Sequence, residues 1–193
     1  MSSVILVLGG ARSGKSSLAE KLARQMSDHV FYVATAAAHD EEMAERIRQH
    51  RARRPATWKT LEETHRLPEL LMELPANSVV LIDCLTLWVS NLLLDQTMPR
   101  DGAGESEKEL YIVAEAGRLL EAARKRGHRV VMVSNEVGNG LVPDKELGRK
   151  YRDIIGRVNQ LVAGEAQKVY LVIAGIPLDL KVLAANLELE ESL

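Results

Sequence analysis

"VILVLGGARSGKSSLAEKLARQM", residues 4–26, joins three kinds of sequence in a fixed order. Residues 4–8 are continuously apolar, as in a buried strand, and residues 15–26 repeat their apolar side chains with a helical period. Between them lies Gly-x4-Gly-Lys-Ser, the phosphate-binding pattern in which backbone N–H groups and the start of a helix surround a polyphosphate. This stretch predicts a nucleotide site at a strand-to-helix turn.

Each position of this loop has a chemical reason. Gly14 lets the backbone approach the phosphates, Lys15 reaches the β and γ phosphates, and the Ser16 hydroxyl ligates Mg2+. A glycine-rich turn without a ligand is the alternative, but the strand before the loop and the helix after it favour nucleotide binding. The predicted nucleotide contacts are Gly9, Gly10, Ala11, Arg12, Ser13, Gly14, Lys15 and Ser16.

Apolar runs of strand length alternate with helical segments along the rest of the chain. The further runs are residues 30–34, 78–83, 129–134 and 168–174, and a helical face extends over residues 144–167. This alternation predicts an α/β fold of the P-loop NTPase type, a mostly parallel sheet with helices on both faces. Residues 95–107 are expected to form a loop. We predict one domain over residues 1–193, with an acidic tail at about 184–193.

Composition excludes several kinds of partner. The 193 residues carry a net charge of -2 and a pI near 6.2, which gives no general reason to bind nucleic acid or an anionic membrane. The single cysteine, Cys84, rules out an internal disulfide, and no apolar run approaches the ~20 residues that span a bilayer. We therefore expect a cytoplasmic protein with no membrane insertion and no nucleic-acid partner.

A carboxylate closes the apolar run at residues 78–83. Asp83 is predicted to hold Mg2+ together with Ser16, because ligands collect at the carboxyl ends of parallel strands. An Asp that merely caps the next helix is the alternative. Cys84 is assigned to the lining of the nucleotide site, as a small packing residue rather than a nucleophile.

His50 lies within a cluster of arginines in "ERIRQHRARRPATW", residues 45–58. The segment from Asp40 to Pro55 is predicted to be a helix, with acids in its first turn and arginines in its last. One interpretation is a partly buried core histidine on the same face as Met43 and Ile47. The other is chemical: neighbouring cations disfavour the imidazolium, so a neutral ring keeps a lone pair for nucleophilic attack.

Six segments together resemble one enzyme family, the bifunctional adenosylcobinamide kinase/adenosylcobinamide-phosphate guanylyltransferases of cobalamin biosynthesis. They are "GGARSGKS", "YVATA", "DEEMAERIRQHRARRPATWKTLEE", "DCLTLWVSNLL", "VSNEVGNGLVP" and "YRDIIGRVNQ". The resemblance implies phosphorylation of adenosylcobinamide by a nucleoside triphosphate, followed by transfer of GMP from GTP through a guanylyl-histidine. It also implies ATP and GTP as substrates, Mg2+, a corrinoid partner and a homotrimer.

The resemblance assigns further residues by position. His50, four residues before Arg54-Pro55, is implied to be the guanylylated nucleophile. The other residues implied to contact or border the nucleotide are Ala34, Thr35, Ala36, Arg51, Ala52, Arg53, Arg54 and Glu62. Without the resemblance, the first three would read as a plain strand end and Glu62 as a surface carboxylate.

Two polar groups receive weaker assignments. Asn135 and Glu136 are expected to help hold substrate or metal at a strand end. The polar side of the helical segment 144–167 is expected to be a solvated face or a subunit contact; its residues are Arg152, Asp153, Asn159 and Gln160.

Two rival functions stay open at this point. A monofunctional small-molecule kinase would use the same phosphate loop with a purely structural His50. A nucleotide-gated binding module would bind nucleotide without turnover. The sequence also leaves open whether ATP or GTP feeds the kinase step.

Overall fold

A computed structural model describes residues 2–36 and 55–184 of the chain. The strands of this part are β1 Ser3–Gly9, β2 Val30–Ala34, β3 Lys59–Glu62, β4 Val79–Asp83, β5 Arg129–Asn135, β6 Lys168–Ile173 and β7 Ile176–Asp179. Its helices, numbered among the described residues, are α1 Lys15–Met26, α2 Leu67–Glu73, α3 Leu85–Leu94, α4 Glu105–Lys125, α5 Glu146–Glu165 and α6 Leu180–Leu183.

The strands form one sheet in the order β3-β2-β4-β5-β1-β6-β7. Every neighbouring pair is parallel except β6 and β7, which form an antiparallel hairpin at one edge. The predicted mostly parallel sheet is therefore confirmed. Since β1 lies between β5 and β6, the loop that follows it opens near the middle of the sheet's carboxyl edge.

Alternate residues of the central strands supply two separate cores. Leu6 packs into a cluster with α3, α4 and α5, whereas Val7 packs on the other face with Ala19 and Ala23 of α1. Period-two alternation in a run that is apolar throughout puts apolar side chains on both faces of the sheet. Helices cover both faces, as predicted.

The sequence missed the two outer strands. β3 is only four residues long and mixes charged with apolar side chains, and β7 contains Pro177. Proline has no N–H group to donate to a neighbouring strand and is found mainly in edge strands, so the sequence around Pro177 does not indicate a strand. The five apolar runs were correctly predicted, and their ends differ from the observed strands by a residue or so.

The layer of α3, α4 and α5 extends beyond the sheet. The 21 residues of α4 span about 30 Å at ~1.5 Å per residue, whereas the seven-residue β5 spans about 23 Å at ~3.3 Å per residue. Because α4 ends close to the start of β5, its first turns project past the carboxyl edge. The Lys108 ammonium of α4 donates to the carbonyl oxygens of Leu93 and Asp95, 3.0 and 2.6 Å away, so the end of α3 projects with it.

The predicted loop at residues 95–107 is shorter than expected. Residues 95–104 form turns and irregular backbone, but Glu105 already begins α4. Arg100 holds this connection to the helix through a double ion pair with Glu107. The predicted helix from Asp40 to Pro55, except Pro55 itself, and the acidic tail from residue 185 onward lie outside the described residues. No described helix has the length and apolar character needed to cross a membrane.

One buried histidine joins two elements of the larger core. The His128 side chain is fully buried between α4 and β5, with Nε2 2.8 Å from the carbonyl oxygen of Leu71 in α2. A carbonyl only accepts hydrogen bonds, so Nε2 carries the proton of the neutral ring. Burial lowers the pKa of His128, and the positive charge of Arg126 acts in the same direction.

We predict that His128 makes folding stability depend on pH. The unfolded chain takes up a proton near the ordinary histidine pKa of about 6.5, while the folded chain resists it. The stability from this group is therefore present above about pH 6.5 and is lost as the pH falls, by at most ~1.4 kcal/mol per pH unit. Urea unfolding at pH 7.5 and 5.5 measures it. His128→Gln should flatten the dependence, whereas His29→Gln, at an exposed position, should leave it unchanged; equal slopes for both variants contradict the prediction.

Candidate active site

The phosphate loop, residues 9–16, turns sharply between β1 and α1. Arg12 and Gly14 have positive φ angles of 56° and 97°, and the Ser13 N–H closes the turn on the carbonyl oxygen of Gly10 at 3.3 Å. The start of α1 has no side-chain cap and no acidic residue in its first turn. Its backbone N–H groups and dipole are thus directed at an anion rather than at a side chain.

Neighbouring strands hold this loop from two sides. The Gly9 carbonyl accepts from the Glu136 N–H after β5 at 3.2 Å, and the Ser13 carbonyl accepts from the Gly175 N–H in the β6–β7 turn at 2.9 Å. Gly9 itself is crowded: a Cβ there would lie 2.7 Å from the carbonyl oxygen of Val172 and closer still to the Ser13 hydroxyl. The loop therefore keeps its shape only with glycine at position 9.

Asp83 is oriented by a tyrosine rather than by a helix cap. The Tyr32 hydroxyl of β2 donates to Asp83 Oδ2 at 2.9 Å. Cys84, not Asp83, is the N-cap residue of α3, and no side chain caps this helix. The capping alternative is therefore excluded, and the carboxylate lies at the carboxyl end of β4, as predicted.

Lys15 and Asp83 share one electrostatic environment. The Lys15 ammonium donates to the Gly10 carbonyl oxygen at 3.0 Å. Burial lowers the pKa of Lys15, and the negative charge of the Asp83 carboxylate partly offsets that effect. A cation that is partly stripped of water, at the uncapped start of a helix, is ready to pair with phosphate.

The neighbouring oxygen donors suit Mg2+. Ser16 follows Lys15 in the first turn of α1. Ser16 and Asp83 are both half-buried, so a hydroxyl and a carboxylate oxygen remain accessible to a metal ion. In the described residues there is no group of three or more acidic, histidine or cysteine side chains that could hold a metal. Mg2+ in kinase sites is usually held by one or two protein oxygens plus substrate phosphates and water, so this pair fits it.

Thr35 fastens the end of β2 to the end of β4. Its buried hydroxyl accepts from the Cys84 N–H and donates to the Cys84 carbonyl, both at 2.7 Å, and its N–H donates to the Asp83 carbonyl at 3.2 Å. The peptide bond between Asp83 and Cys84 is cis. Thr35 thus sets the position of the backbone that carries Asp83, and Ala34 and Ala36 flank it at the strand end.

Cys84 belongs to a polar network at the start of α3. Its Sγ lies 2.8 Å from the Thr86 hydroxyl, which also accepts from the Asn135 amide at 3.1 Å. The Tyr151 hydroxyl of α5 donates to the Thr86 carbonyl at 3.0 Å. Burial raises the pKa of the Cys84 thiol and raises the pKa of Tyr151 to about 12, so both stay protonated. A protonated thiol fits a packing role better than that of a nucleophile.

The sequence missed two members of this network, Thr86 and Tyr151. The signal for Thr86 was available: it is the one polar residue in the first turn of the helix, three residues after Asp83. Tyr151 was predicted only as part of the apolar face of its helix. Its ring does pack against the core, but its hydroxyl reaches α3.

The prediction for Asn159 was wrong. Its side chain is 7% exposed and donates to the Asn135 carbonyl at 3.4 Å, so it faces the sheet rather than solvent. It follows Val158 on the apolar side of α5, where a polar group is retained because it bonds to the end of β5. Arg152 is half-buried and pairs with the exposed Asp153, and Gln160 is exposed, as expected for a solvated face.

The remaining predicted site residues divide into two groups. Glu62 is exposed at the end of β3, in register with Ala34, so it lies at the same edge of the sheet as Asp83. Glu136 accepts from the Gly138 N–H in the loop after β5. The residues that lie outside the described part are His50, Arg51, Ala52, Arg53 and Arg54.

Comparison with known sequences identifies close similarity. Residues 5–180 match the family model described as "Cobinamide kinase / cobinamide phosphate guanyltransferase". The chain is 47% identical over 178 residues to the bifunctional adenosylcobalamin biosynthesis protein CobP of Pseudomonas aeruginosa, covering 91% of this chain and 96% of that protein. It is 45% identical over 181 residues to the bifunctional adenosylcobalamin biosynthesis protein CobU of Escherichia coli, covering 92% and 99%.

Comparison with solved structures concerns the fold alone. A prototypical ATPase from the type III secretion system of pathogenic bacteria superposes with a TM-score of 0.59 and 11% identity over 92% of this chain. An ATP synthase subunit, NeqB, of Nanoarcheaum equitans gives 0.56 and 10% over 88%. This chain spans about half of those longer chains, 56% and 45%. The predicted P-loop NTPase fold is confirmed.

We predict that Gly9→Ala distorts the phosphate loop. The added methyl group would meet the Val172 carbonyl, which belongs to a paired strand and cannot move cheaply. Nucleotide affinity should fall at least tenfold, as measured with a fluorescent ATP analogue. Gly156→Ala, in α5 and outside the phosphate loop, is the matched control, because a Cβ there has nothing within 4 Å. Similar affinities for the two variants would show that the close approach at Gly9 does not control the loop.

Proposed function

The chain belongs to the cobinamide kinase / cobinamide phosphate guanyltransferase family. We propose that the phosphate loop carries out the kinase reaction and that His50 is the nucleophile of the guanylyl transfer. The enzyme is bifunctional, acting in cobalamin biosynthesis as adenosylcobinamide kinase and adenosylcobinamide-phosphate guanylyltransferase. The observation that carries the residue assignment is geometric: Lys15 begins the helix after β1 and Asp83 ends β4, so both lie at the carboxyl edge of the same parallel sheet.

In the kinase reaction, the corrinoid hydroxyl attacks the γ phosphorus of the nucleoside triphosphate, and the bond to the β-phosphate oxygen breaks. Negative charge moves toward the departing diphosphate. Lys15 and the N–H groups at the start of α1 neutralise this charge, and they do so without rearranging because the loop is held by Glu136 and Gly175. Ser16 and Asp83 would hold Mg2+, which supplies further charge on the phosphate oxygens.

In the transferase reaction, neutral His50 attacks the α phosphorus of GTP, a P–N bond forms, and pyrophosphate leaves. The phosphate of the phosphorylated corrinoid then attacks this guanylyl-histidine and frees the ring. Arg51, Arg53 and Arg54 follow His50 in the sequence and would pair with the departing pyrophosphate. We assign Glu62 to a ribose or guanine contact; its exposure at the sheet edge supports this assignment.

The family resemblance also implies a homotrimer, and we propose this assembly. The β6–β7 edge and α6 expose apolar side chains that a subunit contact would cover: Ile173, Ile176, Val182 and Leu183 are 55–78% exposed. Light scattering of the purified protein gives the mass directly.

We predict that GTP labelled at the α phosphate will label the protein without any acceptor. The bond should be acid-labile and base-stable, as for a phosphoramidate, and His50→Ala should lose all label. His29→Ala, a change at an exposed histidine, should keep it. Wild-type protein that binds GTP but takes up no label would favour the kinase-only alternative.

We predict that Lys15→Ala lowers kinase turnover by about two to three orders of magnitude, the usual cost of removing a group that stabilises developing charge. Transfer of labelled γ phosphate to adenosylcobinamide measures it. Lys21→Ala removes an exposed lysine of the same helix and should be neutral. Equal rates for the two variants would remove Lys15 from the mechanism.

A further inference from the structure

An open apolar groove separates α3 from the start of α5. Its cavity volume is about 490 Å³, within the range of small-molecule sites. The side chains that define it are Ser90, Leu93, Leu94, Pro143, Leu147 and Tyr151. Among the described residues, Lys145 is the one basic side chain that lines it, so this lining offers no cluster of cations for the phosphates of a nucleotide.

Exposed apolar side chains lie beside this groove as well as at the β6–β7 edge. Leu94 and Leu147 are 59% and 48% exposed, and Leu141 and Val142, in the loop that leads to Pro143, are 96% and 62% exposed. Contiguous exposed apolar side chains of this kind mark a binding surface.

One wall of the groove is fixed in place. The Arg149 guanidinium of α5 donates to the carbonyl oxygens of Pro143 and Asp144, 3.0 and 2.7 Å away. Pro143 also packs directly on Gly148, where a Cβ would come within 2.8 Å of the proline ring. The loop is thus attached to the helix that it precedes, and the groove is largely pre-formed.

The groove is connected to the phosphate-transfer site. Tyr151 lines it and donates to the Thr86 carbonyl, while the Thr86 hydroxyl contacts Cys84, the residue after Asp83. The end of α3 projects past the carboxyl edge of the sheet through the contacts of Leu93 with Lys108. A ligand in the groove therefore lies toward the carboxyl edge of the sheet, where the phosphate loop also lies.

Resting on the proposed function, we propose that this groove binds the corrin macrocycle of the acceptor. Its hydroxyl-bearing side chain then runs past Tyr151 and Asn135 toward Lys15. A corrin ring has a broad apolar body with amide groups at its edge, which matches an apolar floor with the polar groups of Ser90, Asp144 and Lys145 at hand. A second copy of this chain is a poorer occupant, because a stable protein interface covers about 800 Å² per partner and this is a small concavity.

Direct binding tests this site without turnover. The double variant Leu94→Gln/Leu147→Gln replaces two exposed leucines with neutral polar side chains, so folding and charge are preserved. Equilibrium dialysis with adenosylcobinamide, followed by its visible absorption, should show at least tenfold weaker binding than wild type. Affinity for a non-hydrolysable ATP analogue should stay within twofold. Leu110→Gln, at a 73% exposed leucine of α4 outside the groove, should bind both ligands normally.

A second variant tests whether the shape of the groove, and not only its apolar character, is needed for corrinoid binding. Ser90→Phe fills the groove without adding charge and should weaken corrinoid binding in the same way. Wild-type corrinoid affinity in both variants overturns the proposal, as does a loss that accompanies a change of oligomeric mass by light scattering. Wild-type protein that binds the nucleotide but no corrinoid would overturn the proposed function as well, and that failure is recognised before any variant is made.

Discussion

The close passage of the backbone at Gly9 is the constraint on which the site depends. β1 runs through the middle of the sheet, so the chain that leaves it must turn in the space between β5 and β6. The turn fits only because position 9 has no side chain. The carbonyl oxygens of Gly9 and Ser13 accept hydrogen bonds from the N–H groups of Glu136, after β5, and Gly175, in the β6–β7 turn. The loop that receives phosphate is therefore a consequence of how the sheet is ordered. Its open N–H groups cost little because this part of the loop is exposed, so water can bond to them until a phosphate replaces it.

Much of the architecture follows from local sequence. The five long apolar runs became the central strands, because a strand buried on both faces is apolar at every position. The outer strands β3 and β7 were missed because an edge strand need not be apolar at every position. Three of the four residues of β3 are polar, and β7 contains a proline. The order of strands was also beyond the sequence, since parallel neighbours are chosen by helices that cross over the sheet, not by adjacent residues.

The site divides in the same way. Lys15, Ser16 and Asp83 were predictable, because each function requires one residue type at one end of a strand or helix. The groups that position them were not. Tyr32 and Gly175 lie within an ordinary strand and turn, and only tertiary contacts give them a role at the site. Thr35 was assigned to the border of the nucleotide through the resemblance, but its bonds to Cys84 could not be predicted. Asn159 shows the limit of helical periodicity, since a polar residue was assigned to the solvated side when it bonds to β5.

The projecting layer of α3, α4 and α5 determines which parts of the chain can change in length during evolution. Residues 95–104 and 137–145 connect elements beyond the carboxyl edge, and Arg100, Lys108 and Arg149 attach them to helices rather than to the sheet. An insertion or deletion in either connection leaves the register of β1, β4 and β5 intact. The phosphate loop, wedged between paired strands, has no such freedom. Relatives that act on different acceptors are thus expected to diverge in length at these two connections while keeping the loop's spacing fixed.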